Sequence, residues 1–318
     1  MFLAPSRRVA AIGFVLWSWM TDSLTVAPHP NIGVVLRGRP LPTDRAAVMA
    51  IVNRTPDSFF DGGLTFADGA AIEAVHRAVA QGADLVDIGG VKAGVGDEVG
   101  VAEEIRRVVP FIERVRALYP ELVISVDTWR AEVAVAACEA GADLINDTWA
   151  GADPELADVA ARFGAGMVCS HTGQAAPRTN PFRVVYQDVV AAVIEETTRA
   201  AERMVAAGVP RRGILIDPTH DFGKNTWHGL EILHRTAELV ATGWPVLMAL
   251  SNKDFVGETL DLPVDQRLEG TLAATAIAAW QGAAVFRAHQ VRPTRRVVDM
   301  AAAIRGTRAP VAARRGLV

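Results

Sequence analysis

The sequence predicts an α/β fold of the (β/α)8 TIM barrel type, and three observations predict it. Eight apolar runs too short to be helices alternate with segments whose apolar residues recur at helical spacing. Each of the eight runs ends in a polar residue. The helix exits repeat as well: Gly82-Ala83-Asp84, Gly141-Ala142-Asp143 and Gly282-Ala283-Ala284 each offer a glycine, which takes the left-handed cap without steric cost, and lead straight into the next run.

In chain order the predicted strands are 48–52, 85–88, 123–126, 144–145, 167–170, 214–216, 246–250 and 285–288. Eight is the number that closes a barrel. Predicted helices span 70–81, 101–118, 130–139, 189–207, 230–241, 265–280 and 294–304, all rich in Ala, Glu and Arg. The barrel is expected over residues 46–305, between an N-terminal arm of residues 1–45 and a C-terminal tail of residues 306–318. After Arg7 and Arg8, the uncharged stretch 9–20 has the length of a signal-peptide apolar region and is too short to span a bilayer. A cut after Ala27 would leave Pro28 beside it, and Met20 is an alternative start, so both readings of the arm stay open.

Composition narrows the function. A chain of 318 residues, 50% hydrophobic and 21% charged, buries a sizeable core, and a net charge of −4 gives no basic face for binding nucleic acid. Cys138 and Cys169 stand without CxxC or Cys/His spacing, so no zinc site or disulfide framework is signalled. Lysine is confined to Lys92, Lys224 and Lys253 in a chain otherwise given over to arginine, which draws attention to those three positions.

The residues that end the runs are Asn53, Asp87, Asp127, Asn146 with Asp147, His171, Asp217, Ser251 to Lys253, and Arg287 with His289. In a barrel of this kind the strand C-termini converge on one open face, where catalytic residues from several strands meet. Loop starts are polar in general, but eight in a row with carboxylates, amides, a Lys, an Arg and two His outweigh that explanation.

At this point the motifs resemble the dihydropteroate synthases, over about residues 49–291. Asn53-Arg54-Thr55-Pro56-Asp57-Ser58-Phe59, continuing to Asp61-Gly62-Gly63, is similar to the family's N-V-T-P-D-S-F-x-D-G-G after the first strand. Ser125-Val126-Asp127-Thr128, Gly141 to Asp147, Asp217-Pro218 with Phe222-Gly223-Lys224, Leu250 to Lys253, and Phe286-Arg287-Ala288-His289 follow in family order. Members join p-aminobenzoate to 6-hydroxymethyl-7,8-dihydropterin pyrophosphate and release pyrophosphate. The resemblance implies that Asp217 and Asn146 hold the pterin edge, whose planar donor pair suits two acceptor oxygens. It implies that Lys253 donates to the pterin acceptors and that Asp127 favours positive charge as the carbon–oxygen bond breaks. Asn53 resembles the Mg2+ contact, an oxygen ligand supplemented by phosphate and water. Arg287 and His289, two apart and so on one side of a strand, would grip the departing pyrophosphate. Ser251 and Asp57 would add substrate contacts, and Phe222 and Lys224 would lie toward p-aminobenzoate. A homodimer and a cytoplasmic location, with no membrane or nucleic-acid partner, are the accompanying expectations. Read singly, Asn146 serves equally as a helix cap, Asp217 as a turn residue before Pro218, and His289 as a satisfied rim histidine.

The likeness breaks after the second strand. Where the family carries G-E-S-T-R-P-G, this chain has Gly90-Val91-Lys92-Ala93-Gly94-Val95-Gly96, and Asn252 replaces the Arg after the serine of the seventh-strand motif. Arg54 intrudes into the first loop, and His171-Thr172-Gly173-Gln174 matches the fifth-strand pattern only loosely. Two lost charged hydrogen bonds of about 1.5–3 kcal/mol each would lower turnover by two to four powers of ten if both act in the transition state. Compensation by Arg54 or Lys92 is the opposing possibility, and Lys substitutes poorly for a bidentate fork. The favoured expectation is a protein that binds the pterin pyrophosphate and condenses p-aminobenzoate weakly or not at all. An active synthase is the alternative. A pterin-binding methyl-carrier domain is a third, disfavoured because a methyl carrier has no pyrophosphate for Arg287 and His289 to hold.

Overall fold

The chain enters its barrel through a plug. In the computed structural model, which describes residues 33–55, 68–92, 94, 96–173, 175–179 and 184–315, Val35–Leu36 (β1) and Arg39–Pro40 (β2) pair antiparallel. Arg37 and Gly38 between them both take positive φ, 48° and 83°, as a tight two-residue hairpin turn requires. Leu36 is fully buried beside Met49, Leu85, Leu144 and Leu247, and Arg37 donates to the carbonyls of Cys138 (2.8 Å) and Ala142 (2.7 Å). The hairpin lies so close that a β-carbon on Gly166 would stand 2.5 Å from Leu36 Cδ2 and 2.6 Å from the Gly213 carbonyl oxygen. Residues 33–45, assigned from sequence to the arm, are thus part of the packed domain. The stretch 9–20 and Asp57 with most of the first-loop motif lie outside the described residues.

Eight parallel strands follow: Ala47–Asn53 (β3), Leu85–Gly89 (β4), Val123–Asp127 (β5), Leu144–Asp147 (β6), Gly166–Ser170 (β7), Ile214–Asp217 (β8), Leu247–Met248 (β9) and Val285–Ala288 (β10). They hydrogen-bond in the order β8-β7-β6-β5-β4-β3-β10-β9. A parallel bridge, Ile216 to Val246, and a 2.9 Å bond from the Ile216 N–H to the Pro245 carbonyl close the ring between β8 and β9. Every predicted strand is present. β9 stops short of the predicted 246–250 because the chain turns ahead of Asn252, whose φ is 57°. Side chains alternate as the pleat demands: Ala47 and Met49 fill the barrel interior, while Val48, Ala50 and Val52 pack outward against the helices.

The helices are Asp68–Ala80 (α1), Val101–Leu118 (α2), Ala131–Glu139 (α3), Leu156–Phe163 (α4), Val189–Ala206 (α5), Thr226–His234 (α6), Thr236–Ala241 (α7), Asp254–Leu260 (α8), Leu268–Gln281 (α9) and Val291–Arg305 (α10). The predicted helix 230–241 is two, broken at Arg235, whose guanidinium is drawn into ion pairs with Asp188, Glu231 and Glu238. It also starts earlier, at Thr226, because Asn225 and His228 form a reciprocal cap. α10 begins at Val291, ahead of the predicted 294, since Pro293 falls in the first turn where no intrahelical N–H is needed. α4 and α8, each under nine residues, were not predicted. Among the described residues no helix is long and apolar enough to cross a membrane.

Candidate functional site

Strand register sets the rim. Asn53 pairs with Gly89, Gly89 with Asp127 and Asp127 with Asn146, so three of the predicted site residues stand in one layer at the C-terminal ends of β3, β5 and β6. A cavity of about 410 Å³ opens above this layer. Asn53, Asp127, Asn146, Asp217, Phe222, Ser251, Lys253, Arg287 and His289 all line it.

Beneath its floor lies an ion network. Arg287 rises from β10 and donates through Nε to Asp87 (2.6 Å) and through a terminal nitrogen to Asp127 (2.9 Å). Asp87, fully buried, also accepts from Ser125 Oγ at 2.6 Å and Asn146 Nδ2 at 3.1 Å, while Thr148 Oγ1 donates to Asp127 at 3.1 Å. Burial raises the Asp127 pKa against the opposing pull of Arg287, and the neighbouring Asp87 carboxylate adds to the rise. Burial works against the charge on Arg287, yet Asp87 and Asp127 together hold its pKa above the ordinary arginine value.

Asp217 ends β8 and stands at the other side of the cavity. One of its oxygens accepts the Thr219 N–H at 2.7 Å, and burial pushes its pKa up to about 6 against the fields of Lys253, Lys224 and Arg287. Lys253, lowered by burial, sets its ammonium 4.4 Å from the centre of the Phe222 ring. That ring meets Trp149 edge-on with centroids 5.2 Å apart. Asn252, immediately before Lys253, holds its left-handed backbone through a bond from its N–H to Thr271 Oγ1 (3.1 Å) and one from Arg267 to its carbonyl (3.0 Å). His289 Nδ1 and Ser251 Oγ are 3.0 Å apart, which joins the ends of β9 and β10.

Lys224 requires a correction. It was assigned to substrate, but it does not line the cavity: its buried ammonium donates to the carbonyls of His171 (2.7 Å), Phe222 (2.9 Å) and Thr219 (3.3 Å). Burial brings its pKa down to about 7. The lysine pins the loop after β8 to the end of β7, where Gly223, at φ 60°, is packed so tightly that a β-carbon would stand 2.0 Å from the Thr172 carbonyl oxygen. The two candidates for compensation part company. Arg54 turns away, its guanidinium 4.7 Å over the Phe111 ring, whereas Lys92 lines the cavity from the loop after β4. Asp87 had been recognised only as a strand end, and Thr148, Asp221 and Asp254 had carried no sequence signal at all. Among the described residues no cluster of three or more His, Cys, Asp or Glu could hold a metal, and Asn53 is one of several neutral oxygen-bearing residues in the cavity wall.

Known proteins share this fold. The family described as "Pterin binding enzyme" matches residues 49–289. A Mycobacterium tuberculosis protein named "Inactive dihydropteroate synthase 2" is 65% identical over 286 residues, covering 89% of this chain and 90% of its own length. The same-named protein of Mycobacterium leprae is 64% identical over 287 residues, 89% of this chain and 99% of its own length. Among solved structures, the Yersinia pestis dihydropteroate synthase in a sulfonamide drug complex superposes with a TM-score of 0.81 at 35% identity, covering 86% of this chain and 99% of that one. On this evidence the chain belongs to the pterin-binding enzyme family.

Proposed function

We propose that this cavity binds 6-hydroxymethyl-7,8-dihydropterin pyrophosphate and that the condensation with p-aminobenzoate is weak or absent. The observation that carries the reading is the convergence of Asp217, Asn146, Lys253, Arg287 and His289 on one cavity of about 410 Å³. The free oxygen of Asp217 accepts from the exocyclic amine and ring N–H of the pterin, and Asn146, anchored on Asp87, holds the same edge. Lys253 donates to the acceptor atoms of the ring. Arg287, oriented by Asp87 and Asp127, and His289, oriented by Ser251, face the diphosphate and take up its charge as it departs.

The donor set fits Mg2+ only as an ion carried by the diphosphate, because Asn53 offers one amide oxygen and the remaining ligands must come from phosphate and water. When bound, Mg2+ would neutralise charge on the leaving group. Loss of condensation follows from the other half of the cavity, where Gly94 and Asn252 supply no guanidinium and Arg54 is committed to Phe111. The names of the mycobacterial relatives support the same conclusion. The protein also pairs with a second copy through α9 and α10, whose outward faces expose Ile277, Trp280, Met300 and Ile304 around an apolar hollow.

The test is purified full-length protein with the pterin pyrophosphate, p-aminobenzoate and Mg2+. Calorimetry should record saturable binding of the pterin pyrophosphate, and turnover should fall at least a hundredfold below the usual enzyme range of about 1–10³ s⁻¹. Ordinary turnover would make it an active synthase, and absence of pterin binding would remove the reading altogether.

A further inference from the structure

The basic side chains that line the cavity are Lys92, Lys253, Arg287 and His289. All but one are committed within the protein. Arg287 is shared between Asp87 and Asp127, His289 meets Ser251, and Lys253 lies over Phe222 in the fields of Asp221 and Asp217. Lys92 is the exception: half-buried, it makes no hydrogen bond or ion pair among the described residues. A partly desolvated ammonium without an acceptor is costly, and an anionic ligand relieves it.

Its place in the ring says which anion. Lys92 follows β4, whose last residue, Gly89, is flanked by Asn53 on β3 and Asp127 on β5. The same strand carries Asp87, the partner of Arg287 Nε. Around the ring, β10 with Arg287 and His289 is two strands from β4, whereas β8 with Asp217 is four strands away. Lys92 therefore stands on the side read here as the diphosphate side, away from the pterin edge. Arg287 divides one positive charge between two carboxylates, so a diphosphate set beside it needs further positive charge.

The loop that carries Lys92 is braced on both flanks. The Gly89 carbonyl accepts the Arg54 N–H at 2.7 Å, and the Gly90 carbonyl accepts from Arg107 at 2.9 Å. Arg178, from the loop after β7, donates to the carbonyls of Gly94 (3.2 Å) and Asp97 (2.7 Å). A β-carbon on Gly94 would stand 3.9 Å from Lys92 Cε, so the position without a guanidinium and the uncommitted lysine are neighbours in space.

We propose that Lys92 is a diphosphate-binding residue that the family motif does not supply, a point charge that holds the diphosphate together with Arg287 and His289. The assignment rests on the reading of the cavity as a pterin pyrophosphate site and adds a grip to it. A hold on the bound diphosphate stabilises the ground state and offers nothing to an incoming amine, which suits binding without condensation.

The experiment is calorimetry on the full-length protein at fixed Mg2+, with wild type, Lys92→Met and Lys92→Arg. The probes are inorganic pyrophosphate, the pterin pyrophosphate, 6-hydroxymethyl-7,8-dihydropterin without its diphosphate, and 4-aminobenzoate. Lys92→Met should weaken both diphosphates about tenfold, roughly 1.4 kcal/mol, and leave the diphosphate-free pterin within about twofold. Lys92→Arg keeps the charge and should retain at least about a third of the wild-type affinity. Equal losses on all probes would make Lys92 a structural residue, no loss on any would make it a solvated charge, and a loss confined to 4-aminobenzoate would give it to a carboxylate. Each of these overturns the proposal, as does failure of inorganic pyrophosphate to bind the wild type at millimolar concentration. If the diphosphate-free pterin does not bind and the pterin pyrophosphate binds no tighter than pyrophosphate, while Lys92→Met still weakens both, the pterin reading falls and Lys92 keeps its role.

Discussion

Replacing Asp87 with alanine removes the carboxylate that three side chains share under the cavity floor. Arg287 Nε loses a 2.6 Å partner, Ser125 Oγ another at 2.6 Å, and Asn146 Nδ2 one at 3.1 Å, all around a residue with no solvent exposure. Arg287 retains Asp127 at 2.9 Å, so the guanidinium is left half paired. Breaking a buried ion pair by removing one partner costs about 3–5 kcal/mol, because the other charge stays behind without compensation. For a domain of this size each kcal/mol moves the melting midpoint by about 2 °C, which gives a fall of roughly 6–10 °C. Urea unfolding followed by circular dichroism reads the same loss as a lower midpoint at an unchanged slope. A loss below about 1 kcal/mol would refute the reasoning, since it would mean that water or Asp127 satisfies Arg287 as well as Asp87 does.

Asp217 makes the contrasting prediction. Its one internal bond is to a backbone N–H, so Asp217→Asn should leave stability within about 1 kcal/mol but weaken pterin pyrophosphate binding about a hundredfold, measured by calorimetry. In the wild-type protein that affinity should fall as pH drops through about 6, where the carboxylate that burial has raised takes up a proton and stops accepting from the ring. His220 acts on stability instead. Burial pushes its pKa down to about 3, so it stays neutral in the fold but protonates in the unfolded chain, and its contribution is lost as pH falls below about 6.5. Comparing acid unfolding between pH 6 and 4, His220→Gln should flatten the stability slope by up to about 1.4 kcal/mol per pH unit, and parallel curves would count against this account. The proposed pairing through α9 and α10 makes its own prediction: the unaltered protein should scatter light as a dimer and Met300→Glu, on the outer face of α10, as a monomer, and a mass that is the same for both would refute pairing through this face.

The barrel was legible because its evidence is local. Apolar runs, helix-closing glycines and the polar residue at each strand end are properties of a few neighbouring positions, and the structure keeps all eight strands. Of the site, the cavity residues at strand ends, Asn53, Asp127, Asn146, Asp217, Arg287 and His289, were legible for the same reason, since a strand terminus in this architecture points to one place. What was not legible depends on partners far apart in the chain. Arg287 and Asp87 meet across 200 positions, and no spacing rule connects them. Lys224 was misread because its motif position predicts exposure to substrate, whereas the turn at Gly223 folds its ammonium back onto three carbonyls. α4 and α8 escaped because eight and seven residues are too few for a helical period to declare itself.

The ring of strands is not equally strong all the way round. Between β8 and β9 it is held by a single bridge at Ile216 and Val246, and β9 itself is two residues long. Asp217 follows one side of this join and Lys253 the other, so the two residues proposed to hold the pterin sit on opposite lips of the weakest seam. The seam is where the cylinder parts first: amides along Val246 to Met248 should exchange with solvent sooner than those of β4 and β5. A flat molecule entering from that side would work as a staple, tightening the very stave joint that its own binding residues straddle.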